Sequence, residues 1–320
     1  MFAYIPDRHF VYPQKELLLT IIQLTEWSLV HITGDDSKKY LQNQLTIDLN
    51  LLSNNNHVLC AHCNFNGKVW STMHLFHYET GYAYIQRKSV SDIQIKELKK
   101  YSTFSNVEIN QLKKIFLIGI AGKNARLFLL DLFEKVPSNK QFVMHNCEQS
   151  ILRFLQPSER FLLIFSSERF TFFKNSIDKK IFFSNSKQWT LLDMESGFPI
   201  IENQSAQMFF PQAINLEKLN GISLHKGCFY GQEMIARIFF KKLNKRFLCL
   251  LVGIGNIFPK IGSIVEIFIK NKWCKIGVLL YAIHVKFQEI WIQVVLNGMI
   301  NKNSIFRIRG LNSIFLIPKS

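Results

Sequence analysis

Several short segments of the chain alternate apolar and polar residues, which is the period of a half-buried β-strand. Residues 27–33 alternate in this way, and residues 57–63 and 69–77 flank an Asn-Gly turn, which is typical of a β-hairpin. Apolar residues spaced three and four apart predict helices instead. The predicted helices are residues 38–45, 93–98, 124–133 and 167–175.

The last part of the chain has a different pattern. From residue 241 onward, short apolar segments are separated by turn residues at regular intervals, which is typical of a small β-barrel. Its predicted strands are residues 246–252, 263–269, 273–280, 289–295 and 305–309. Before this point strand and helix signals are mixed, and they restart near residue 115. The sequence therefore predicts an α+β fold, with residues 1–114 and 115–240 as two subdomains of the body and residues 241–320 as a barrel.

The composition indicates a globular protein. Apolar residues make up 48% of the chain and charged residues only 19%, whereas a disordered chain has fewer apolar residues and more charge. No segment has the roughly 18 consecutive apolar residues of a membrane-spanning helix. The first eight residues lack the basic and apolar stretches of a secretory signal. We therefore expect a cytoplasmic protein without a membrane partner.

The cysteines do not indicate a disulfide scaffold or a metal site. Six cysteines among 320 residues are too few for the former. Cys60 and Cys63 form a single C-x-x-C, with no second pair at the spacing of a zinc site. Redox-active pairs of this kind lie at a helix N-terminus, but this pair lies in a predicted strand. No metal-binding residue is therefore predicted.

The net charge leaves direct contact with RNA open. The chain has 39 basic and 23 acidic residues, a net charge of +16, which favours phosphate-bearing partners. However, the basic residues are spread widely, and the joint abundance of Lys, Asn, Ile and Phe also fits drift in an AT-rich genome. Local basic clusters occur at residues 99–100, 113–114, 179–180 and 241–246.

The most distinctive stretch is residues 226–233, Lys-Gly-Cys-Phe-Tyr-Gly-Gln-Glu. Gly227 and Gly231 allow the backbone to turn sharply and to approach a ligand closely. Cys228 is a candidate nucleophile or redox-sensitive thiol, because Lys226 and a nearby helix N-terminus would both lower its pKa. The alternative is a tightly packed turn in which Cys228 is simply a small buried residue.

A helix is predicted directly after this turn. Gln232 and Glu233 would occupy its first turn, where free backbone amides and the helix dipole favour negative charge. Arg237 follows one turn later and completes the candidate motif residues.

The motif resembles the signature K-G-C-[FY]-x-G-Q-E of the YgfZ family of folate-binding proteins associated with tRNA modification. These proteins are relatives of the aminomethyltransferase (T-protein) of the glycine cleavage system. Six further segments resemble the family in the same order along nearly the whole chain. They are residues 32–41, 61–68, 98–101, 194–199, 211–216 and 303–307.

The resemblance implies a T-protein-like folate-binding body of interleaved α+β subdomains, followed by the barrel. Trp27 and Trp189 match the two tryptophans associated with folate contact, and indole offers a large surface on which a flat pterin can stack. Glu195 resembles the acidic residue that related proteins place against the pterin, where a carboxylate accepts hydrogen bonds from N–H groups. The implied ligand is tetrahydrofolate or a derivative.

The resemblance also implies a role as an accessory protein. This role is support of tRNA modification, through the iron–sulfur enzymes that methylthiolate tRNA, together with an influence on the initiation of replication. Two alternatives involve catalysis: a folate-dependent one-carbon transferase, or a thiol-redox enzyme using Cys228. The usual K-x-F-I-G-like segment of T-proteins is replaced here by residues 226–231, and no catalytic aspartate is identified. Whether the chain is an enzyme therefore stays open.

Overall fold

The computed structural model describes residues 10–146, 149–177, 181–255 and 257–318. The chain forms two compact units, each built from several segments. The first contains the described residues up to Leu41, together with Asp48–Val58 and Met73–Leu192. The second contains Gln42–Ile47, Leu59–Thr72 and the described residues from Asp193 onward. The predicted division at residues 114 and 240 stays a prediction.

The described residues contain α-helices, short 3-10 helices and many short strands. The α-helices are α1 (Ser37–Gln44), α2 (Lys88–Lys99), α3 (Ala125–Leu132), α4 (Ser167–Asn175), α5 (Ser186–Glu195) and α6 (Gln232–Phe240). The 3-10 helices are Gln14–Glu16, Leu49–Leu51, Asn203–Ser205, Pro211–Ile214 and Lys286–Gln288. The strands are β1 (Thr20–Gln23), β2 (Trp27–Thr33), β3 (His57–Cys63), β4 (Val69–Tyr78), β5 (Gly81–Arg87), β6 (Glu108–Gln111), β7 (Ile115–Ala121), β8 (Val143–Asn146), β9 (Gln149–Phe154), β10 (Arg160–Ser166), β11 (Phe182–Asn185), β12 (Arg246–Ile254), β13 (Ile264–Ile269), β14 (Lys272–His284), β15 (Glu289–Asn297), β16 (Phe306–Ile308) and β17 (Ile314–Leu316).

A six-stranded sheet has the order β11-β1-β7-β10-β9-β8. β1 pairs with β11 in parallel and with β7 in the antiparallel direction. Helices α3 and α4 pack against this sheet through buried apolar residues such as Leu129 and Phe173. The rings of Phe116 and Phe170 stack at 4.1 Å between centroids, which joins α4 to β7. This sheet and its helices form an apolar core of the first unit.

A five-stranded sheet has the order β3-β4-β5-β2-β6. Helix α2 is held to β2 and β5 by a buried polar network. The Tyr84 hydroxyl donates to Gln94 Oε1 at 2.8 Å, and Ser28 Oγ donates to Ser91 Oγ at 3.1 Å. β2 begins at Trp27, and the pairing of Trp27 with Arg87 places these two residues side by side.

The last six strands close into a barrel in the order β12-β15-β14-β13-β16-β17. Its interior is filled by apolar side chains, among them Leu251, Ile292, Phe306 and Phe315. The mixed α+β fold and the terminal barrel predicted from the sequence are confirmed. The sequence analysis missed β17, which pairs with both β12 and β16.

Several predicted elements are confirmed almost to the residue. β3 and α4 have the predicted bounds, and α1 is shifted by one residue from the prediction. Helix α5 was not predicted, although it carries both Trp189 and Glu195. No helix of the described residues combines the length and the apolar character that crossing a membrane would need.

Candidate functional site

Lys226, the first residue of the motif, is anchored to backbone carbonyl groups in the last turn of α1 and in the segment that follows it. Its side chain is buried, and its ammonium group donates to the carbonyl oxygens of Gln42, Leu45 and Ile47 at 2.5, 2.8 and 2.6 Å. The ammonium group also lies 4.9 Å from the centre of the Phe229 ring. The three hydrogen bonds use the three donors that a lysine possesses. Lys226 therefore fixes the motif to residues 42–47, and both belong to the second unit.

Further hydrogen bonds join the same two segments. The backbone amide of Tyr230 donates to Asn43 O at 2.9 Å, and that of Ser223 donates to Thr46 O at 2.7 Å. The Thr46 hydroxyl donates to Gly221 O at 2.6 Å and accepts from the amide of Ala61 at 2.9 Å. Hydrogen bonds thus hold the chain both before and after Lys226. They give this loop a defined conformation although it has no regular secondary structure.

Gly231 is the turn residue that starts α6. Its φ of +83° is in the left-handed region, and a β-carbon at this position would lie 2.4 Å from Asn64 O. Gly67 has a φ of +72°, and a β-carbon there would lie 3.1 Å from Gly231 O. The hairpin turn between β3 and β4 therefore packs backbone to backbone against the motif. The sharp turn predicted at Gly231 is present, and its close contact is with the backbone of the hairpin turn, whereas the approach of this backbone to a ligand stays a prediction.

Replacing Gly231 by alanine is expected to lower the free energy of unfolding by about 2 kcal/mol or more, because the new methyl group combines left-handed strain with a clash against backbone. The effect is measured as a shift of the urea unfolding midpoint. The matched control is Gly227→Ala in the same motif. A β-carbon at Gly227 has no atom within 4 Å and φ is not positive there, so this variant should change stability by less than about 0.5 kcal/mol. Equal stability of the two variants would contradict this account.

The anchored loop exposes its central residues. Gly227 and Cys228 are exposed, whereas Lys226 on one side and Phe229 on the other are buried. The alternative in which Cys228 is a buried packing residue is therefore wrong. The rigid surroundings present a free thiol to solvent. Glu233 and Arg237 are also exposed, on α6, and the amide of Phe229 donates to Gln232 Oε1 at 3.3 Å.

Cys60 and Cys63 are buried, in contrast to Cys228. Both thiols are completely buried on β3, and burial raises their pKa values well above the ordinary range. His62 lies between them in sequence, and burial lowers its pKa to about 3. Among the described residues no group of three histidine, cysteine or acidic side chains is placed to hold a metal ion. The buried C-x-x-C is therefore a protonated, unreactive pair.

Trp27 lines a cavity in the first unit. The cavity has a volume of about 380 Å³, and Trp27 is partly exposed in its wall. The indole Nε1 is buried, and no described residue accepts a hydrogen bond from it. Such an orphaned donor is rare in a folded protein, since leaving it unpaired costs free energy. The cavity thus offers a ligand an aromatic surface, and the indole N–H group beside it has no acceptor among the described residues.

Basic side chains surround the Trp27 indole. Lys88 and Lys113 line the same cavity, are exposed, and form no ion pair with any described residue. Arg87 lies behind the indole, with its guanidinium carbon 5.3 Å from the ring centre, and forms an ion pair with Glu26 at 2.9 Å. Of these three residues only Lys113 belongs to a feature noted in the sequence, the basic cluster at residues 113–114. Lys88 and Lys113 carry no motif, and only their position in the fold relates them to Trp27.

Trp189 belongs to the core of the first unit. Only 2% of its surface is exposed, and its ring packs edge-on against Phe154. The Arg160 guanidinium lies 4.3 Å from the ring centre, and a β-carbon on Gly119 would lie 2.6 Å from the ring. Trp189 is connected to Trp27 through its neighbour Thr190, whose hydroxyl accepts from Arg87 Nη1 at 3.2 Å. The role of Trp189 in folate contact stays a prediction.

The predicted site residues are divided between the two units. Trp27 and Trp189 belong to the first, whereas Glu195 and the whole motif from Lys226 to Arg237 belong to the second. Glu195 is partly exposed at the end of α5. Within each unit the structure brings the predicted residues onto defined elements. A single pocket shared by the tryptophans and the cysteine-bearing turn stays a prediction.

The fold defines the class of protein. A solved structure, the glycine cleavage system aminomethyltransferase T from Bartonella henselae, matches with a TM-score of 0.74 over 97% of this chain and 90% of its own length. At 15% identity this likeness establishes the T-protein-like fold alone.

Sequence comparison then gives the family. The family model described as "YgfZ, beta-barrel domain" matches residues 244–311. A protein named tRNA-modifying protein YgfZ from Buchnera aphidicola subsp. Acyrthosiphon pisum (strain APS) is 58% identical, over 98% of this chain and 99% of its own. The protein of the same name from Yersinia enterocolitica is 42% identical, over 92% of this chain and 89% of its own. The chain therefore belongs to the YgfZ family, as the motif resemblance predicted.

Proposed function

We propose that the chain is a folate-binding protein that acts in tRNA modification, and that the cavity beside Trp27 receives the pterin ring. One observation carries the folate assignment: a partly exposed indole with an orphaned, buried N–H group lines a cavity of about 380 Å³. The tRNA assignment is supported by the names of the relatives, which are tRNA-modifying proteins that match nearly the whole chain.

The cavity has the chemistry that a folate requires. Its volume falls within the range of about 300–1,000 Å³ that is usual for small-molecule sites. Trp27 offers a stacking surface for a flat heterocycle and a donor for one of its acceptor atoms. Lys88 and Lys113 are unpaired cations that would bind the carboxylates of the glutamate tail. When bound, tetrahydrofolate supplies one-carbon chemistry; the residues of the chain bind it, orient it and neutralise its charge.

The cellular role that we propose is an accessory one. The family resemblance implies support of the iron–sulfur enzymes that methylthiolate tRNA, and an influence on replication initiation. The T-protein-like fold supports folate use, because aminomethyltransferases of the glycine cleavage system share it. We further propose that Trp189 supports the site from within the core of the first unit, whereas the contact of Glu195 with the pterin stays a prediction.

Replacing Trp27 by alanine is expected to weaken the binding of tetrahydrofolate roughly 2- to 13-fold or more, because aromatic contacts of this kind are worth roughly 0.5–1.5 kcal/mol beyond the area they bury. Binding is followed by quenching of tryptophan fluorescence and by calorimetry. The control is Trp273→Phe on the barrel, where the indole contacts Phe268 and Arg307. Trp189 is unsuited to this test, since truncating a buried tryptophan would change stability as well. Unchanged affinity in Trp27→Ala would remove the assignment.

A double variant tests where the glutamate tail of the folate is bound. Lys88→Gln combined with Lys113→Gln should weaken the binding of tetrahydrofolate, because two unpaired cations that line the cavity are lost. The same variant should bind tetrahydropterin, which has no glutamate, as the wild type does. Equal losses for both ligands would place the glutamate tail elsewhere.

A second candidate function is thiol chemistry at Cys228, favoured by its exposure on a rigidly anchored loop. Alkylation of the native protein, read by peptide mass spectrometry, should label Cys228 rapidly and leave Cys60 and Cys63 unlabelled until the protein unfolds. If Cys228→Ser restores tRNA methylthiolation in a deficient strain, covalent chemistry at this residue is excluded as an essential step. Loss of restoration, with folate binding and stability intact, would support it.

A further inference from the structure

The connection between α6 and the barrel carries an unusual concentration of exposed basic and aromatic residues in the second unit. Four of the six residues from 241 to 246 are cations, and all six are exposed. No described carboxylate forms an ion pair with Lys241, Lys242, Lys245 or Arg246. Among the clusters found in the sequence, this one is the longest; the pair at residues 179–180 lies outside the described residues.

The backbone of this connection is well defined. The amides of Lys241, Lys242 and Leu243 donate to carbonyl groups of the last turn of α6, at 3.0–3.1 Å. Asn244 then donates to Gln212 O at 3.2 Å and to Arg246 O at 2.9 Å. The cations are therefore displayed from an ordered turn, which lowers the entropy cost of using them in binding.

Exposed aromatic residues accompany the cations. Phe240 is 68% exposed at the end of α6, and its ring meets that of Phe239 edge-on at 5.3 Å. The apolar face of α6 is already used, since Ile235 and Ile238 are buried. Phe240 thus lies outside the core. A ring of this kind beside cations is what proteins use to stack unpaired bases next to bound phosphates.

A cleft beside the turn contains an unsatisfied acceptor. The cleft has a volume of about 530 Å³, and its walls include Lys218, Lys245 and Arg246. Gln212 also lines it; the residue is 4% exposed, and no described group donates to its buried Oε1. Its amide nitrogen is already used, because Nε2 donates to Ile235 O at 2.8 Å. The cleft therefore combines three cations and one carboxylate, Glu217, with the amide of Gln212, whose Oε1 has no donor among the described residues.

The positive charge of this region also affects the ionisation of Lys68. The pKa of Lys68 is lowered, chiefly by burial and additionally by the charge of Arg246. The Lys68 ammonium group lies 3.6 Å from the centre of the Phe210 ring. Positive charge that is not balanced within the protein favours a polyanionic partner.

We propose that the end of α6, the turn 241–246 and the adjacent cleft form a surface that binds unpaired nucleotides of tRNA. The surface rests on the tRNA role proposed above. Lys241, Lys242 and Lys245 contact phosphates, and Phe240 stacks on a base. Gln212 Oε1 accepts a hydrogen bond from a ribose 2′-hydroxyl or from a base amino group. A partner that offered phosphate groups alone would have no such donor.

The test measures binding of the full chain to fluorescent tRNA transcripts and to a single-stranded anticodon-loop oligonucleotide, as a function of salt. The triple variant Lys241→Gln, Lys242→Gln, Lys245→Gln should bind at least about 10-fold more weakly and reduce the slope of log K against log salt by about 2, because up to three phosphate contacts are lost. Phe240→Ala should weaken binding of the single strand roughly 5- to 100-fold and leave binding of duplex RNA unchanged.

The matched control for the triple variant removes the same number of positive charges from the first unit. Lys123, Lys135 and Lys140 are exposed and unpaired among the described residues, and their triple glutamine variant should bind within about 3-fold of the wild type. Equal losses in the two triple variants would overturn the proposal, because binding would then follow net charge alone. Absence of salt-dependent RNA binding by the wild type would also overturn it. A chain that binds tetrahydrofolate but no RNA would remove this inference and leave the folate assignment intact.

Discussion

Replacing Lys226 by methionine is expected to lower the free energy of unfolding by about 3 kcal/mol, one of the largest single effects in the chain. Methionine has a similar length and fills the space, but it donates no hydrogen bond. The carbonyl oxygens of Gln42, Leu45 and Ile47 would each lose the bond that they accept from the ammonium group. A buried acceptor without a partner costs roughly 1–3 kcal/mol. The measurement is urea unfolding at pH 7.

The matched control for this variant is Lys260→Met, which removes an exposed lysine of the same unit. That change should stay within about 0.5 kcal/mol of the wild type, as is usual for surface substitutions. If Lys226→Met is as stable as Lys260→Met, the three hydrogen bonds do not anchor the motif. The lysine of the signature would then need another explanation, such as direct participation in chemistry.

Acidification is expected to destabilise the protein steeply between pH 6.5 and pH 4. Burial lowers the pKa of His57 to about 4 and that of His74 well below its usual value, and the charge of Arg160 contributes to both. The two rings lie 5.4 Å apart between centroids, so protonating both would place like charges together. In the unfolded chain they titrate near pH 6.5. Below this pH the unfolded state binds more protons than the folded state, and stability is therefore lost as the pH falls.

The contribution of His57 alone is roughly 3 kcal/mol over this range, because each unit between the two pKa values is worth about 1.4 kcal/mol. His57→Gln should remove this part of the pH dependence, since glutamine does not titrate. His284→Gln, at an exposed histidine, should leave the pH dependence unchanged. Urea midpoints at several pH values provide the comparison. A His57→Gln protein that still loses as much stability as the wild type would contradict the prediction.

Local patterns were sufficient to predict much of the fold. β3 and β4 were found because the alternation on either side of Asn66-Gly67 and the turn chemistry point to the same hairpin. The barrel was found because short strands with turn residues recur at regular spacing. Helix α5 was missed for a physical reason: eight of its ten residues are buried, and four of these, Ser186, Gln188, Thr190 and Asp193, are polar, so apolar positions do not mark its buried face.

The candidate site was predictable only in part. The motif 226–233 was visible because it is unusual in sequence, and Gly231 makes the sharp turn expected of it. The function of Lys226 was not visible, since its partners lie about 180 residues earlier in the chain. Likewise, Lys88 and Lys113 reach the Trp27 cavity through the pairing of distant strands. Long-range contacts of this kind leave no local signal.

The residues of the motif have two separate tasks. Buried Lys226, Phe229 and Gly231 hold the loop in place, while Gly227 and Cys228 face solvent. The same division holds around the tryptophans. Trp189 is part of the core, and Trp27 presents its ring to a cavity. We therefore expect the functional groups to be the exposed residues of the motif and the exposed tryptophan. Their buried neighbours keep them in position.

The most direct test of the folate assignment is the indole resonance of Trp27. Protein labelled with ¹⁵N-tryptophan gives an Nε1–H signal for each of its five tryptophans, and Trp27→Phe identifies the one of interest. Titration with tetrahydrofolate should shift the Trp27 signal saturably, as its orphaned N–H gains an acceptor, while the signal of Trp273 on the barrel stays in place. A Trp27 signal that remains fixed at saturating tetrahydrofolate would contradict the account.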